Sequence, residues 1–229
     1  MFRIGTVPYH VAEPLTKGLV GNKDVELHIA PPSELAQLLK EDKLDCALAS
    51  SILCLNQSEY FFWADGPVIA SIGKIRSVLL MLNPKCNSIE DIKVWAADPH
   101  SKTGRELAKI VLKKNNVDAR MIEAKNGIKF NDELDAIQII GDPALNALRE
   151  KPQWQAIDLG EEWQKITNLP FIFAGWIFKD AEKFKEIAPL LEIGDYEIHN
   201  DYRESGLNYK LDASQVELGL QKFAEWISS

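Results

Sequence analysis

Leu44-Asp45-Cys46-Ala47-Leu48-Ala49-Ser50-Ser51 is echoed ninety positions later by Leu134-Asp135-Ala136-Ile137-Gln138-Ile139-Ile140-Gly141-Asp142. Each stretch follows a polar segment, opens on Leu-Asp and runs through short apolar residues. Each ends on residues suited to cap a helix, Ser-Ser in one and Gly-Asp in the other. An apolar strand that stops at a capping residue leaves free backbone N–H groups at its carboxyl edge. Two such edges predict two similar lobes with a ligand cleft between them; chance likeness of two buried strands is the alternative.

The surrounding sequence extends the pattern. Residues 2–9 read as a strand, and Pro14-Leu15 opens a short helix stopped by Gly18 and Gly21. Val25–Ile29 alternates as a half-buried strand does. Pro31-Pro32-Ser33-Glu34 starts a helix with Leu35, Leu38 and Leu39 on one face. The strand Leu44–Ala49 and a helix from Ser51 to about Ser58 complete a βαβαβα series, the pattern of a sheet with helices packed on it. Phe61–Ala64 and Arg76–Leu82 read as buried strands separated by Gly66-Pro67 and Gly73. After Asn83-Pro84 a second series begins: strands at Val94–Ala97, Arg120–Glu123 and Asp135–Ile140, helices at Ser101–Lys114 and Pro143–Glu150. Ile157–Leu159 and Phe171–Phe178 flank a helix at Glu161–Thr167, and the remainder from Asp180 is mostly helical, broken at Gly194 and Gly206. The crossings between the series lie in strand-like sequence near Gly73–Asn83 and Leu169–Phe178. The expected fold is therefore α/β and two-lobed, with a central ligand cleft and a two-strand hinge. Residues 1–78 and 176–229 form lobe 1, and residues 79–175 an inserted lobe 2.

Bulk properties narrow the function. At 229 residues the chain can bury a real core. The net charge of −8 argues against a nucleic-acid binder, which needs a basic footprint. It leaves room for a small anionic ligand, held by local N–H groups and one Arg. No apolar run approaches the roughly 18 residues of a membrane span. Met1 leads straight into a core strand with no basic-then-apolar leader, so a cytoplasmic protein without a membrane partner is expected. Cys46, Cys54 and Cys86 are odd in number and lack ligand spacing, and the four histidines form no His-Glu-x-x-His. No metal site is expected. Nucleotide-binding glycine motifs are absent. Ser71-Ile-Gly-Lys74 followed by Lys102-Thr103-Gly104 mimics two β-lactamase boxes, but far too close together. Oligomeric state is not legible.

Four segments together resemble one family. Arg3-Ile-Gly-Thr-Val-Pro-Tyr-His-Val-Ala-Glu-Pro-Leu15 is similar to its opening strand and turn, and Pro32-Ser-Glu-Leu35 with Asp45–Ser51 to its next helix and strand. Arg76-Ser-Val-Leu-Leu80 resembles the crossing strand. Ile140-Gly-Asp-Pro-Ala-Leu145, Asp158-Leu-Gly-Glu-Glu-Trp163 and Leu169-Pro-Phe-Ile-Phe-Ala-Gly-Trp176 resemble the second lobe. The family is the chorismate dehydratases of the futalosine route to menaquinone, which use a type II periplasmic-binding-protein-like fold as a cytoplasmic enzyme. The resemblance implies removal of water from chorismate to give 3-[(1-carboxyvinyl)oxy]benzoate, without a cofactor. Such a site must hold a dianion, orient the breaking bonds and exclude water.

Helix starts facing the cleft suit the carboxylates, which makes Ser50, Ser51, Ser101, Thr103 and Asp142 the binding candidates; simple capping is the alternative for each. Ser77 corresponds to a family serine implicated in the active site. Arg76 beside it offers a bidentate partner for a carboxylate, but neighbours on a strand face opposite ways, so at most one enters the cleft. The family's opening turn reads Tyr-Leu-Asn, with the Asn in the site; here Tyr9, His10 and Val11 stand there. Val11 cannot move a proton, and His10 is the candidate to replace that function. A non-catalytic binding protein for a small carboxylate or aromatic ligand is the competing reading.

Overall fold

The computed structural model describes residues 1–56, 59–124, 129–131 and 133–228. Its strands form two sheets. In the first sheet are β1 (Phe2–Thr6), β2 (Val25–Ile29), β3 (Cys46–Ser50), β4 (Phe61–Phe62) and β5 (Val68–Ser71). The chain then crosses to the second sheet, which holds β6 (Val78–Leu82), β7 (Val94–Ala97), β8 (Arg120–Glu123), β9 (Ala136–Ile140) and β10 (Gln155–Asp158). It returns for β11 (Phe171–Phe178) and the short β12 (Leu207–Asn208). The helices are α1 (Glu13–Thr16), α2 (Pro32–Lys40), α3 (Ile52–Asn56), α4 (Lys102–Lys114), α5 (Gly141–Glu150), α6 (Leu159–Thr167), α7 (Ala181–Leu191) and α8 (Ala213–Ile227). The expected end of the third helix at Gln57-Ser58 lies outside the described residues.

The sheets repeat one plan. The first runs β12-β5-β11-β3-β1-β2 and the second β10-β6-β9-β7-β8. In each, three parallel strands (β2-β1-β3 or β8-β7-β9) are followed by antiparallel neighbours. The Leu-Asp echo is the hinge of that repeat. Asp45 N–H donates to Arg3 O at 2.8 Å, and Arg3 N–H donates back to Asp45 Oδ2 at 2.8 Å. Asp135 N–H donates to Val94 O at 2.8 Å, and Val94 N–H donates back to Asp135 Oδ2 at 2.9 Å. Each aspartate thus closes a two-bond ring with the strand beside it, one residue before its own strand begins. That contact fixes register, and register decides which side chains face the core. The next partners follow in step, Ile4 with Cys46 and Trp95 with Ala136.

Burial follows the same plan. β3, β6 and β9 are almost wholly buried, as strands covered by helices on both faces should be. Behind the crossings, the buried Trp163 of α6 meets Phe171 and Phe223 edge to face, and its Nε1–H donates to Pro170 O at 3.2 Å. Two departures from expectation stand out. The run Val68–Ser71 is a buried strand between β11 and β12 that the sequence pattern did not separate from its glycine-rich flanks. And β11 belongs to the first sheet along its whole length, with Phe171 opposite Ser71, so the expected lobe division at 175/176 falls inside this strand.

The crossing from β5 to β6 is not a plain strand. Gly73 and Arg76 have φ of 89° and 69°, the left-handed region. The turn is clamped by Asp158, which accepts from Ile75 N (3.1 Å) and Arg76 N (2.7 Å). The same carboxylate caps α6 through Gly160 N (3.0 Å) and Glu161 N (3.1 Å). Burial raises the Asp158 pKa, and these four backbone donors oppose that shift.

Candidate active site

The carboxyl ends of β1, β3, β7 and β9 face one another across a cleft, where open α/β sheets bind ligands. The cleft spans about 610 Å³, a volume that includes space open to solvent at its mouth. Of the sequence candidates, Tyr9, Val11, Ser50, Ser77, Ser101 and Thr103 line it. Ser51, His10, Arg76 and Asp142 do not.

Each placement has a local cause. Ser50 ends β3, and its hydroxyl makes a short hydrogen bond with the Thr103 hydroxyl of the opposite lobe. Thr103 Oγ1 also accepts from Ile52 N at 3.3 Å, so the first turn of α4 is tied to the start of α3. Ser51 turns inward and is fully buried, and among the described residues its hydroxyl has no hydrogen-bond partner. Ser101 precedes α4 and is set by Gln138, a fully buried amide in β9. Gln138 Nε2 donates to Ser101 Oγ at 3.3 Å, and its Oε1 accepts from Asp98 N at 3.1 Å. Gly104 is required there, because a Cβ would stand 2.4 Å from Ser101 Oγ and 2.7 Å from Gln138 Nε2.

Arg76 and Ser77 point apart, as expected, but they do so in the turn before β6, where Arg76 is left-handed, and not on the strand itself. Ser77 is buried and lines the cleft beside Tyr202, whose phenol is pushed well up by burial. Arg76 instead reaches Arg203 O at 3.4 Å on the outer face. Tyr9 lies flat over Gly141, whose φ of 66° and bare Cα make room for it; a Cβ would stand 2.6 Å from the Tyr9 ring. Burial, with the nearby charges of Asp98 and Asp142, pushes the Tyr9 phenol up to about 12.

His10 is the clearest surprise. Its ring stacks on His199 with centroids 4.6 Å apart and planes 1° from parallel. Its Nδ1 sits 3.3 Å from Asp142 Oδ2, and its backbone N–H donates to Asp142 Oδ1 at 3.3 Å. It therefore joins the seam between the lobes rather than the cleft, because the 3₁₀ turn His10–Ala12 swings it away while burying Val11. Asp142 is spent on the same seam. Donor atoms of His10, His199 and Asp201 lie within 4.8 Å of one another. Parallel stacking, however, keeps the two imidazole lone pairs in separate planes, and Arg149 already holds Asp201 at 2.9 Å.

Sequence reasoning missed His100. It lines the cleft, and its Nδ1 lies 2.9 Å from Ser33 Oγ at the start of α2, in the other lobe. The signal was there: Val7-Pro8-Tyr9 follows β1 as Asp98-Pro99-His100 follows β7, so both third residues reach the cleft. The apolar lining, including Leu48, Ile69 and Phe173, was also unassigned. Among the described residues that line the cleft there is no Lys, Arg, Asp or Glu. An anion there meets hydroxyls and the first N–H groups of α4, while the first N–H of α5, that of Gly141, is already donated to Ser77 O at 2.8 Å.

Two lobes of repeated topology around such a cleft define a protein of the periplasmic-binding-protein-like fold. A Candida albicans protein described by its generic periplasmic binding protein fold superposes with a TM-score of 0.60 at 11% identity, over 100% of this chain and 90% of that one. A protein of Archaeoglobus fulgidus gives 0.66 at 14% identity, over 99% and 96%. The alkanesulfonate-binding protein of Xanthomonas axonopodis pv. citri, bound to MOPS, gives 0.57 at 14%, over 82% and 68%. Within that class, the chain belongs to the menaquinone biosynthesis family, whose model matches residues 2–194. The chorismate dehydratase of Thermus thermophilus is 26% identical over 165 residues, 66% of this chain. The match spans 60% of that relative's length. Among the described residues, no helix is long and apolar enough to cross a membrane.

Proposed function

We propose that this chain is a lyase of the chorismate dehydratase type, acting in the cytoplasm on a small anionic substrate and not on nucleic acid. The observation that carries the reading is membership of the menaquinone biosynthesis family along most of the chain, joined to the likeness to the Thermus dehydratase. The cleft suits the chemistry. Loss of water from chorismate leaves an aromatic ring, so the protein must orient and desolvate more than drive the reaction. Ser50, Ser101, Thr103 and Tyr9 offer hydrogen bonds to the carboxylates and ether oxygen. Ser77, at the base of the crossing strand, stands beside the reacting ring. Hydroxyls and helix N-termini can hold a dianion without a paired cation, because N–H dipoles in a water-poor site are strong donors.

The test is to mix the protein with chorismate and follow the enolpyruvyl-substituted benzoate by mass spectrometry. Steady formation of product, lost in Ser77→Ala with the fold intact, supports the lyase. No product from folded protein rejects it. Val11 favours a second reading, a binding protein for a small carboxylate or aromatic ligand. That version raises the melting temperature with chorismate while leaving it unconsumed.

A further inference from the structure

The cleft poses a proton problem. Its lining is apolar side chains, hydroxyls and glycine backbone, with one exception. Val11 has no proton to exchange. The Tyr9 phenol, pushed up to about 12, is held neutral at physiological pH. His10 is turned into the lobe seam. Among the described residues that line the cleft, His100 alone carries a side chain of the type that gains and loses a proton near neutrality.

Its setting is that of an oriented base. The His100 backbone N–H donates to Asp98 Oδ1 at 2.9 Å, which fixes the turn between β7 and α4. Its Nδ1 meets Ser33 Oγ at 2.9 Å. When Nδ1–H donates to Ser33, the lone pair lies on Nε2, away from that contact. Ser33 belongs to the other lobe, so this orientation exists only with the lobes closed. The charged groups around the ring are the Asp98 carboxylate, which feels His100 directly, and Lys102, which shares with His100 and Ser33 a smaller side cavity opening beside the cleft.

We infer that His100 is the proton-transfer residue of the cleft, set in its working orientation across the lobe interface by Ser33. The inference rests on the lyase reading above. Chorismate carries its ether and hydroxyl on opposite ring faces, so the C3 hydrogen and the C4 hydroxyl share a face. One group on that face can serve both ends of the elimination. His100 Nε2 takes the C3 proton, and the C3–H electron pair becomes the C3–C4 π bond. The C4–O bond breaks with its electrons on oxygen. The imidazolium returns its proton to that oxygen, water leaves, and His100 ends neutral as it began.

The experiment compares chorismate turnover by the wild type, His100→Gln, His100→Asn and Ser33→Ala across pH, with melting temperature as the control for folding. His100 is exposed on a turn, so both replacements should leave the fold unchanged. Both should lower kcat by about 10²- to 10⁴-fold with a smaller change in KM, and remove the acidic limb of the pH–rate profile. Ser33→Ala should lower kcat by about tenfold and be rescued by Ser33→Thr, as a positioning residue would. An active wild type whose His100 variants stay within about threefold of it, with the acidic limb kept, overturns the inference and leaves the lyase standing. A wild type that makes no product overturns both.

Discussion

Asp45 and Asp135 hold the same station in their two sheets, yet different cations meet them. Both close the two-bond ring that starts a central strand. Asp45 also accepts from the Arg3 guanidinium at 2.7 Å and makes a short contact with Lys183 of α7, and its side chain is 5% exposed. Asp135 has Lys85 at 3.0 Å and is 14% exposed. Burial raises both carboxyls, but at Asp45 the hydrogen bonds from Arg3 and Lys183 overwhelm it, leaving the group far below the usual range. At Asp135 the Lys85 and backbone donors bring a net fall as well. At the opposite ends of the same strands the likeness stops: Ser50-Ser51 enters a helix in one lobe and Gly141-Asp142 in the other. The repeat preserves what starts a strand and lets what ends it diverge, at the cleft between the lobes.

The largest effect expected from this contrast is on stability. Asp45→Asn removes the buried charge at the centre of a network whose two cations are partly exposed, and should cost about 1.5–3 kcal/mol in urea unfolding. Asp135→Asn should cost about 1–2 kcal/mol. Equal losses would break the comparison.

Acid should separate the two sites next. Both folded pKa values lie below the unfolded ones, so the stability these groups contribute is present above the ordinary carboxylate value of about 3.9. It is lost as pH falls through the folded values. Asp45→Asn should therefore flatten the fall in stability below about pH 4 more than Asp135→Asn does. Unfolding midpoints collected along a pH series measure this directly.

At the strand ends, Gly141→Ala meets both a left-handed backbone and the Tyr9 ring, and should cost about 1–2 kcal/mol while weakening any ligand in the cleft. Ser51→Ala, which removes a buried hydroxyl with no partner among the described residues, should shift stability by no more than about 0.5 kcal/mol. A large loss there would mean that the hydroxyl has a role the hydrogen-bond pattern does not reveal.

The sequence was most legible where one physical signal dominated. Val25–Ile29, Val94–Ala97, Arg120–Glu123 and Phe171–Phe178 are strands with the expected bounds, since apolar content and flanking turns agree there. Val68–Ser71 was missed because the five residues between Gly66-Pro67 and Gly73 are too few to show a period. The site was less legible for a related reason. Ser50, Ser101 and Thr103 could be placed by asking which strand ends precede helices, and Ser77 through the family resemblance. His10 and His100 could not be told apart that way. One sits in a 3₁₀ turn that rotates it into the seam, the other in a turn held by Asp98, and only the match between the two Pro-containing turns after β1 and β7 separates them in the sequence.

Asp158 gives the crossing an unexpected reporter. One carboxylate is both the cap of α6 and the clamp on the Ile75 and Arg76 peptides, so rotating those peptides to part the lobes draws the acceptor away from the helix start as well. Breathing of the cleft is thereby wired to fraying of α6. Amide exchange at Gly160 and Glu161 becomes a clock for opening, read far from the ligand and blind to what the ligand is.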